Sequence, residues 1–273
     1  MRDTAEVAHR AANASPAALA EPEARRARWL REVWASTIGK KVIVAITGAF
    51  LALYVVLHML GNLKAFQGPG GGDPAIDKYA EWLRTVGGPA FPRSSILWVI
   101  RVILIAALVL HVAAIVGLAR RNRAARPAGH HFPRRIQRSW AARTMQLTGF
   151  AVLAFIVFHV LQFTTGTIDV TPIRDQAVYA NVYYAFQKWY FVVIYVAAVA
   201  LLGLHLRHAI WSVTLTGGWD KPNRNPTFRR TATVVATLVA VGFAAVPISV
   251  AAGWLPTPPG NERGISPSPT ASR

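Results

Sequence analysis

Residues 42–63 read VIVAITGAFLALYVVLHMLGNL and carry no charge. A bilayer core of about 30 Å needs about 20 apolar residues in a helix, so this run is long enough to cross. Four further apolar runs of similar length lie at about 96–119, 144–165, 190–213 and 232–254, the first of these carrying Arg101 near its start and the third Arg207 near its end. Inside lipid only a helix closes its backbone hydrogen bonds within a single segment. The expected fold is therefore all-α, an integral membrane bundle of five transmembrane helices.

Composition agrees. The chain has 273 residues, 53% hydrophobic and 15% charged, which is too apolar for an ordinary soluble domain. A net charge of +18 would point to nucleic acid in a soluble protein. Here the bases, apart from Arg101 and Arg207 near the ends of their runs, avoid the apolar runs and collect between them, so lipid, not nucleic acid, is the expected partner of that charge. With no cysteine the chain offers no thiolate, and any metal must be held mainly by histidine.

Orientation follows from the bases. Arg120, Arg121, Arg123, Arg126, Arg134, Arg135, Arg138 and Arg143 lie between runs two and three without an acid. Arg25, Arg26, Arg28, Arg31, Lys40 and Lys41 precede run one, and Lys221, Arg224, Arg229 and Arg230 separate runs four and five. The opposite connections, 64–95 and 166–189, balance a few bases with Asp73, Asp77, Glu81, Asp169 and Asp175. The expected topology has the amino terminus in the cytoplasm. Residues 1–35, which lack the apolar core of a signal peptide, form a retained cytoplasmic segment. Residues 36–255 form the membrane domain, and 256–273, rich in Pro and Ser, a disordered tail. Within 64–95, after a turn containing Gly68, Gly70, Gly71 and Gly72, the pattern from Ile76 to Arg84 predicts a short interfacial helix with Trp82 at headgroup depth.

Of eight histidines, His58, His111, His159 and His205 sit one in each of the first four spans. An ionisable residue in a membrane helix is costly and points first to function, against the plainer role of bonding a neighbouring helix. Depth separates the two. His58 and His159 lie about 15 residues in from the inner face, and His111 and His205 about 15 from the outer face. The four form two level pairs on opposite sides of the midplane. Paired imidazoles are suitable axial ligands for low-spin haem b, which needs no cysteine. The alternative is a histidine-ligated iron–sulfur centre of the Rieske type, with thiolates from elsewhere. A repeat accompanies the pairing, because Thr47-Gly48 precedes His58 as Thr148-Gly149 precedes His159, with each Gly ten residues ahead of the His. Such a glycine lets a porphyrin edge or a helix approach closely. His208, three residues after His205, is second to it as a ligand and open to a quinone or propionate contact. His9, His130 and His131 lie outside the spans.

The residues Ser36-Thr37-Ile38-Gly39-Lys40-Lys41, Ala45-Ile46-Thr47-Gly48 and Leu57-His58-Met59-Leu60-Gly61-Asn62-Leu63 resemble the opening of a known family. It is the single-chain cytochrome b membrane anchor of succinate dehydrogenase and fumarate reductase, respiratory complex II. The likeness continues in Leu97-Trp98, Arg101, Leu110-His111, Phe158-His159 and His205-Leu206-Arg207-His208-Ala209-Ile210-Trp211-Ser212. Ala209 stands where many relatives have Gly.

The resemblance implies two haems b, ligated by His58 with His159 and by His111 with His205, the pairs that depth also selects. It implies a multi-pass protein of the plasma membrane. An FAD-containing flavoprotein that interconverts succinate and fumarate and an iron–sulfur subunit would dock on the cytoplasmic side, serving the tricarboxylic acid cycle and the respiratory chain. Electrons would pass to menaquinone or ubiquinone. Candidate quinone contacts are Arg31, Trp34, Ser36, His208 and Trp211 on the inner side, and Glu81 with Tyr79 and Trp82 on the outer. Two other functions compete. One is the cytochrome b of a hydrogenase or formate dehydrogenase, against which the opening signature argues. The other is a transporter with a histidine relay, which would normally bring intramembrane carboxylates, and the five spans hold no Asp or Glu.

Overall fold

The computed structural model describes residues 24–25, 28–29, 31–69, 72–125, 140–168, 177–216 and 226–259. Gly70, Gly71, Asp169, Asp175, Arg26, Arg126, Arg134, Arg135, Arg138, Lys221, Arg224, His9, His130, His131 and most of the two termini lie outside them.

The described residues are helical, with no strand among them. In chain order the elements are α1 (Thr37–Asn62), α2 (Ala75–Thr85), α3 (Ser95–Ala124), α4 (Trp140–Phe163), α5 (Val178–Phe186), α6 (Trp189–Thr216) and α7 (Pro226–Ala251). A 3₁₀ turn, Leu63–Gln67, continues α1. Five of these helices, α1, α3, α4, α6 and α7, are long and apolar enough to cross a membrane. The protein is thus an all-α, multi-pass membrane protein with five spanning helices, as the runs predict.

Where boundaries differ, end chemistry explains it. Helix α1 starts five residues before the apolar run because Ser36 caps it: the Ser36 hydroxyl accepts the Gly39 N–H at 2.8 Å. Helix α7 stops at Ala251, three residues before the end of its run. Gly253 adopts φ 71°, its N–H reaches the Val250 carbonyl (3.1 Å), and the Trp254 N–H reaches Ser249 (2.9 Å). Those two bonds are the Schellman closure that glycine permits.

The short helix expected near 76–84 is α2, with Ile76 buried and Trp82 exposed. Helix α5 has no counterpart among the expected elements. Its sequence, VYANVYYAF, has no capping side chain of its own. The Asp77 carboxylate of α2 supplies one from 102 positions away, accepting the Tyr179 N–H at 2.8 Å. A carboxylate at a helix N-terminus is favoured by the exposed N–H groups there. Burial nevertheless raises the Asp77 pKa above the ordinary carboxylate value, and the backbone bonds only partly offset this. The side chain of the same Tyr179, itself buried, donates from its hydroxyl to the Pro256 carbonyl (2.7 Å), and burial raises its pKa. Leu255 is buried beside Phe186 and Phe191, so the segment after α7 is held as far as Pro256.

The chain divides into two compact units, Met1–Gly48 with Ala106–His131, and Ala49–Ile105 with Phe132–Arg273. In the first, the start of α1 runs antiparallel to the end of α3. The contacts step along both helices, from Thr37 with Arg121, through Lys40 with Gly117, to Thr47 and Gly48 with His111. Lys40 is buried, its ammonium over the Trp34 ring and donating to the Trp34 carbonyl. The absence of a side chain at Gly117 makes this possible, since a Cβ there would lie 2.7 Å from Lys40 Cε.

In the second unit α6 is central, packed along α4 on one side and along α7 on another. The α4–α6 seam is antiparallel and runs through Thr144 with His208, Thr148 with His205, and His159 with Tyr195. The α6–α7 seam is close at Gly203, where a Cβ would meet Ala240 Cβ at 3.1 Å. The end of α1 joins this unit through Met59, which packs on Gly242 and, with Leu206, Ala236 and Val239, forms an apolar core.

Candidate functional site

His58 and His159 come together within the second unit. Their ring centroids are 5.9 Å apart and the planes lie at 76°. Tyr54, one turn before His58, stacks on it at 5.5 Å, and Phe243 of α7 approaches at 5.7 Å. His159 sits among Phe155, Phe163 and Tyr195, at 5.9, 5.6 and 5.9 Å. Helical spacing explains the nest, because 155, 159 and 163 follow one another on one face of α4. Tyr195 reaches the same place from α6, with its hydroxyl 3.1 Å from His159 Nδ1 and donating to Gln162 Oε1 at 2.8 Å.

Gln162 is not among the residues that sequence reasoning selects. It is 1% exposed, and its Nε2 is buried without a hydrogen-bond partner among the described residues. A signal for it exists, since it is an amide inside a spanning run, three residues from a candidate histidine.

His111 and His205 lie in different units, and each has the same surroundings in its own. The Thr47 hydroxyl is 3.1 Å from His111 Nδ1, and a Cβ on Gly48 would lie 3.2 Å from His111 Cε1 and 3.6 Å from Nδ1. The Thr148 hydroxyl is 3.4 Å from His205 Nδ1, and a Cβ on Gly149 would again lie 3.2 and 3.6 Å from those atoms. The repeated Thr-Gly therefore serves an imidazole of the next spanning helix in the first unit and of the following one in the second. Glycine provides the room and threonine the polar partner.

His208 is 8% exposed; its Nε2 is 3.4 Å from the Thr144 hydroxyl, and its Nδ1 is buried without a hydrogen-bond partner among the described residues. Trp211, one turn on, lies under the Arg229 guanidinium at 5.4 Å. Of the other inner candidates, Ser36 is engaged as the cap of α1, donating to Val33 as well. Trp34 has the Lys40 ammonium over one face of its ring and is otherwise exposed, as is Arg31.

Of the candidates expected on the outer side, Glu81 is engaged by Arg93, one guanidinium nitrogen to each carboxylate oxygen. That bonding lowers the Glu81 pKa below its ordinary value. Tyr79 stacks on Trp82 at 5.9 Å and packs against Gly61, where a Cβ would meet its ring at 2.9 Å. Arg101, at the start of α3, lies over the Trp98 ring at 4.9 Å.

The donor chemistry can be tested against iron. With metal–imidazole bonds of about 2 Å, two rings on opposite sides of one metal have centroids roughly 6 Å apart. The separation between His58 and His159 is of that size. Among the described residues no group of three or more His, Asp or Glu gathers. An iron held by a macrocycle would ask the protein for two imidazoles, the number that His58 and His159 would offer.

No family model, no curated protein and no solved structure matches the chain.

Proposed function

We propose that the protein is the membrane anchor and electron-transfer subunit of a succinate:quinone oxidoreductase, holding two haems b between histidines of its spanning helices. The observation that carries this is the approach of His58 to His159 across two helices of membrane length. His111 and His205 are assigned as the second pair from their equal depth in the sequence and from the similar Thr-Gly cradle each has in its own unit. When bound, haem supplies one-electron transfer. The chain does the rest. His58 and His159 would ligate one iron, Phe155 and Phe163 line His159 with apolar rings, and the Tyr195 hydroxyl meets its Nδ1. A Rieske-type centre fits less well, because it needs two thiolates besides two imidazoles and the chain has no cysteine.

The flavoprotein and iron–sulfur partners belong to this reading through the family resemblance. Arg120, Arg121 and Arg123, at the end of α3, form part of the basic face on which they would dock, beside anionic lipid of the plasma membrane. Quinone would be reduced beside one of the pairs, and His208, with its buried Nδ1, is the best placed of the inner candidates.

A reduced-minus-oxidised spectrum of the purified complex tests the cofactor. A b-type signal with two haems per chain is expected, and iron without extractable haem would overturn the reading. Topology has its own test. Single cysteines introduced at Ala125, after α3, and Ala177, before α5, should react with an impermeant thiol reagent from opposite sides of the membrane. Ala125 should react from the cytoplasmic side, and labelling of both from one side would refute the orientation.

A further inference from the structure

We propose that Thr47 and Thr148 are positioning residues that hold His111 and His205 in the tautomer with hydrogen on Nδ1, so that the Nε2 lone pair is the one presented to a metal. Counting protons assigns the donor in each contact. A threonine hydroxyl has one hydrogen to donate, and a backbone carbonyl can only accept. Thr47 Oγ1 lies 2.6 Å from the Ile43 carbonyl, and Thr148 Oγ1 lies 3.2 Å from that of Met145. Each hydroxyl spends its hydrogen there. A hydroxyl so engaged has only a lone pair for the imidazole, and the proposed arrangement makes the ring nitrogen the donor at 3.1 and 3.4 Å.

The glycines complete the device. With no Cβ at 48 or 149 the ring edge carrying Cε1 and Nδ1 settles against the helix that bears the threonine, whereas a methyl 3.2 Å from Cε1 would lift it off the hydroxyl. The Thr-Gly pair recurs 101 positions later with the same two glycine-to-ring distances, so the geometry is not peculiar to one seam. Tyr195 gives His159 the same service. Its hydrogen goes to Gln162 Oε1, and its oxygen faces His159 Nδ1.

What Nε2 binds rests on the haem reading, while the tautomer does not, and the experiment separates them. In the full-length protein labelled with ¹⁵N-histidine, His111 and His205 should each show a proton-bearing Nδ1 and an Nε2 without hydrogen. Thr47→Val and Thr148→Val keep the side-chain shape and remove the acceptor; each should abolish that preference at its own histidine only. A donated Nδ1–H makes an imidazole a more basic ligand. Its loss should therefore raise the midpoint potential of the b-type signal that the histidine serves, and Thr47→Ser or Thr148→Ser should restore it. A merely structural threonine would move neither readout.

Hydrogen on Nε2 in the unsubstituted protein, or valine variants unchanged in both readouts, would overturn the proposal. If the valine variants fail to accumulate, the nitrogen spectrum of the unsubstituted protein and of the serine variants decides. A protein without any b-type signal but with hydrogen on Nδ1 would sink the haem reading and leave the positioning role standing.

Discussion

In an assembled complex carrying His159→Ala, the b-type signal should fall to about half and succinate-to-quinone transfer should drop by more than the roughly 10–100-fold that loss of an outer-shell partner alone costs a metal site. His159 is packed among Phe155, Phe163 and Tyr195 and stands 5.9 Å from His58, so alanine removes one axial donor and leaves an apolar gap lined by those rings. His58→Ala should lose the same half of the signal, because the two residues would serve one iron. The double variant should lose no more than either single one. Additive loss, with essentially no signal remaining in the double variant, would show that the two histidines do not share a centre.

His205→Ala separates electron transfer from packing. Dye reduction by succinate, which draws electrons from the hydrophilic partners, should stay within about twofold of normal per assembled complex, while quinone reduction collapses by about tenfold or more. If His205 only filled the α4–α6 seam beside Thr148 and Gly149, stability would change and both activities per complex would be retained. Equal retention of dye and quinone reduction would therefore end the electron-path role of this residue. The matching substitution, His111→Ala, acts through a different seam, that of α1 with α3, and should give the same split.

Five spanning helices are legible from residue order because hydrocarbon sets a length and forbids charge, and both constraints are local. The histidines are legible for the same reason. An imidazole in an apolar run is conspicuous, and depth along a helix can be counted at a fixed rise per residue. Depth also pairs His58 with His159, and the fold brings those two rings together within one unit. The repeat of Thr and Gly is visible as a pattern.

Its use is not visible. Which object a glycine makes room for depends on what the neighbouring helix presents at that height, and the rotation of one helix against another is not written in either sequence alone. The register of α1 on α3 brings the His111 ring to Gly48, and that of α4 on α6 brings His205 to Gly149. The same dependence hides Gln162, whose partner Tyr195 is 33 positions away on α6, and helix α5, whose N-terminal N–H is met by Asp77 of α2. Side-chain chemistry and location suggest Ser36 and Glu81 as quinone contacts; that one also caps a helix and the other also pairs with Arg93 is visible only in the fold. Hydrophobic length and the depth of a polar group are properties of one helix, and residue order dictates them. Tautomer, cradle and cap need two elements in register, so packing decides them.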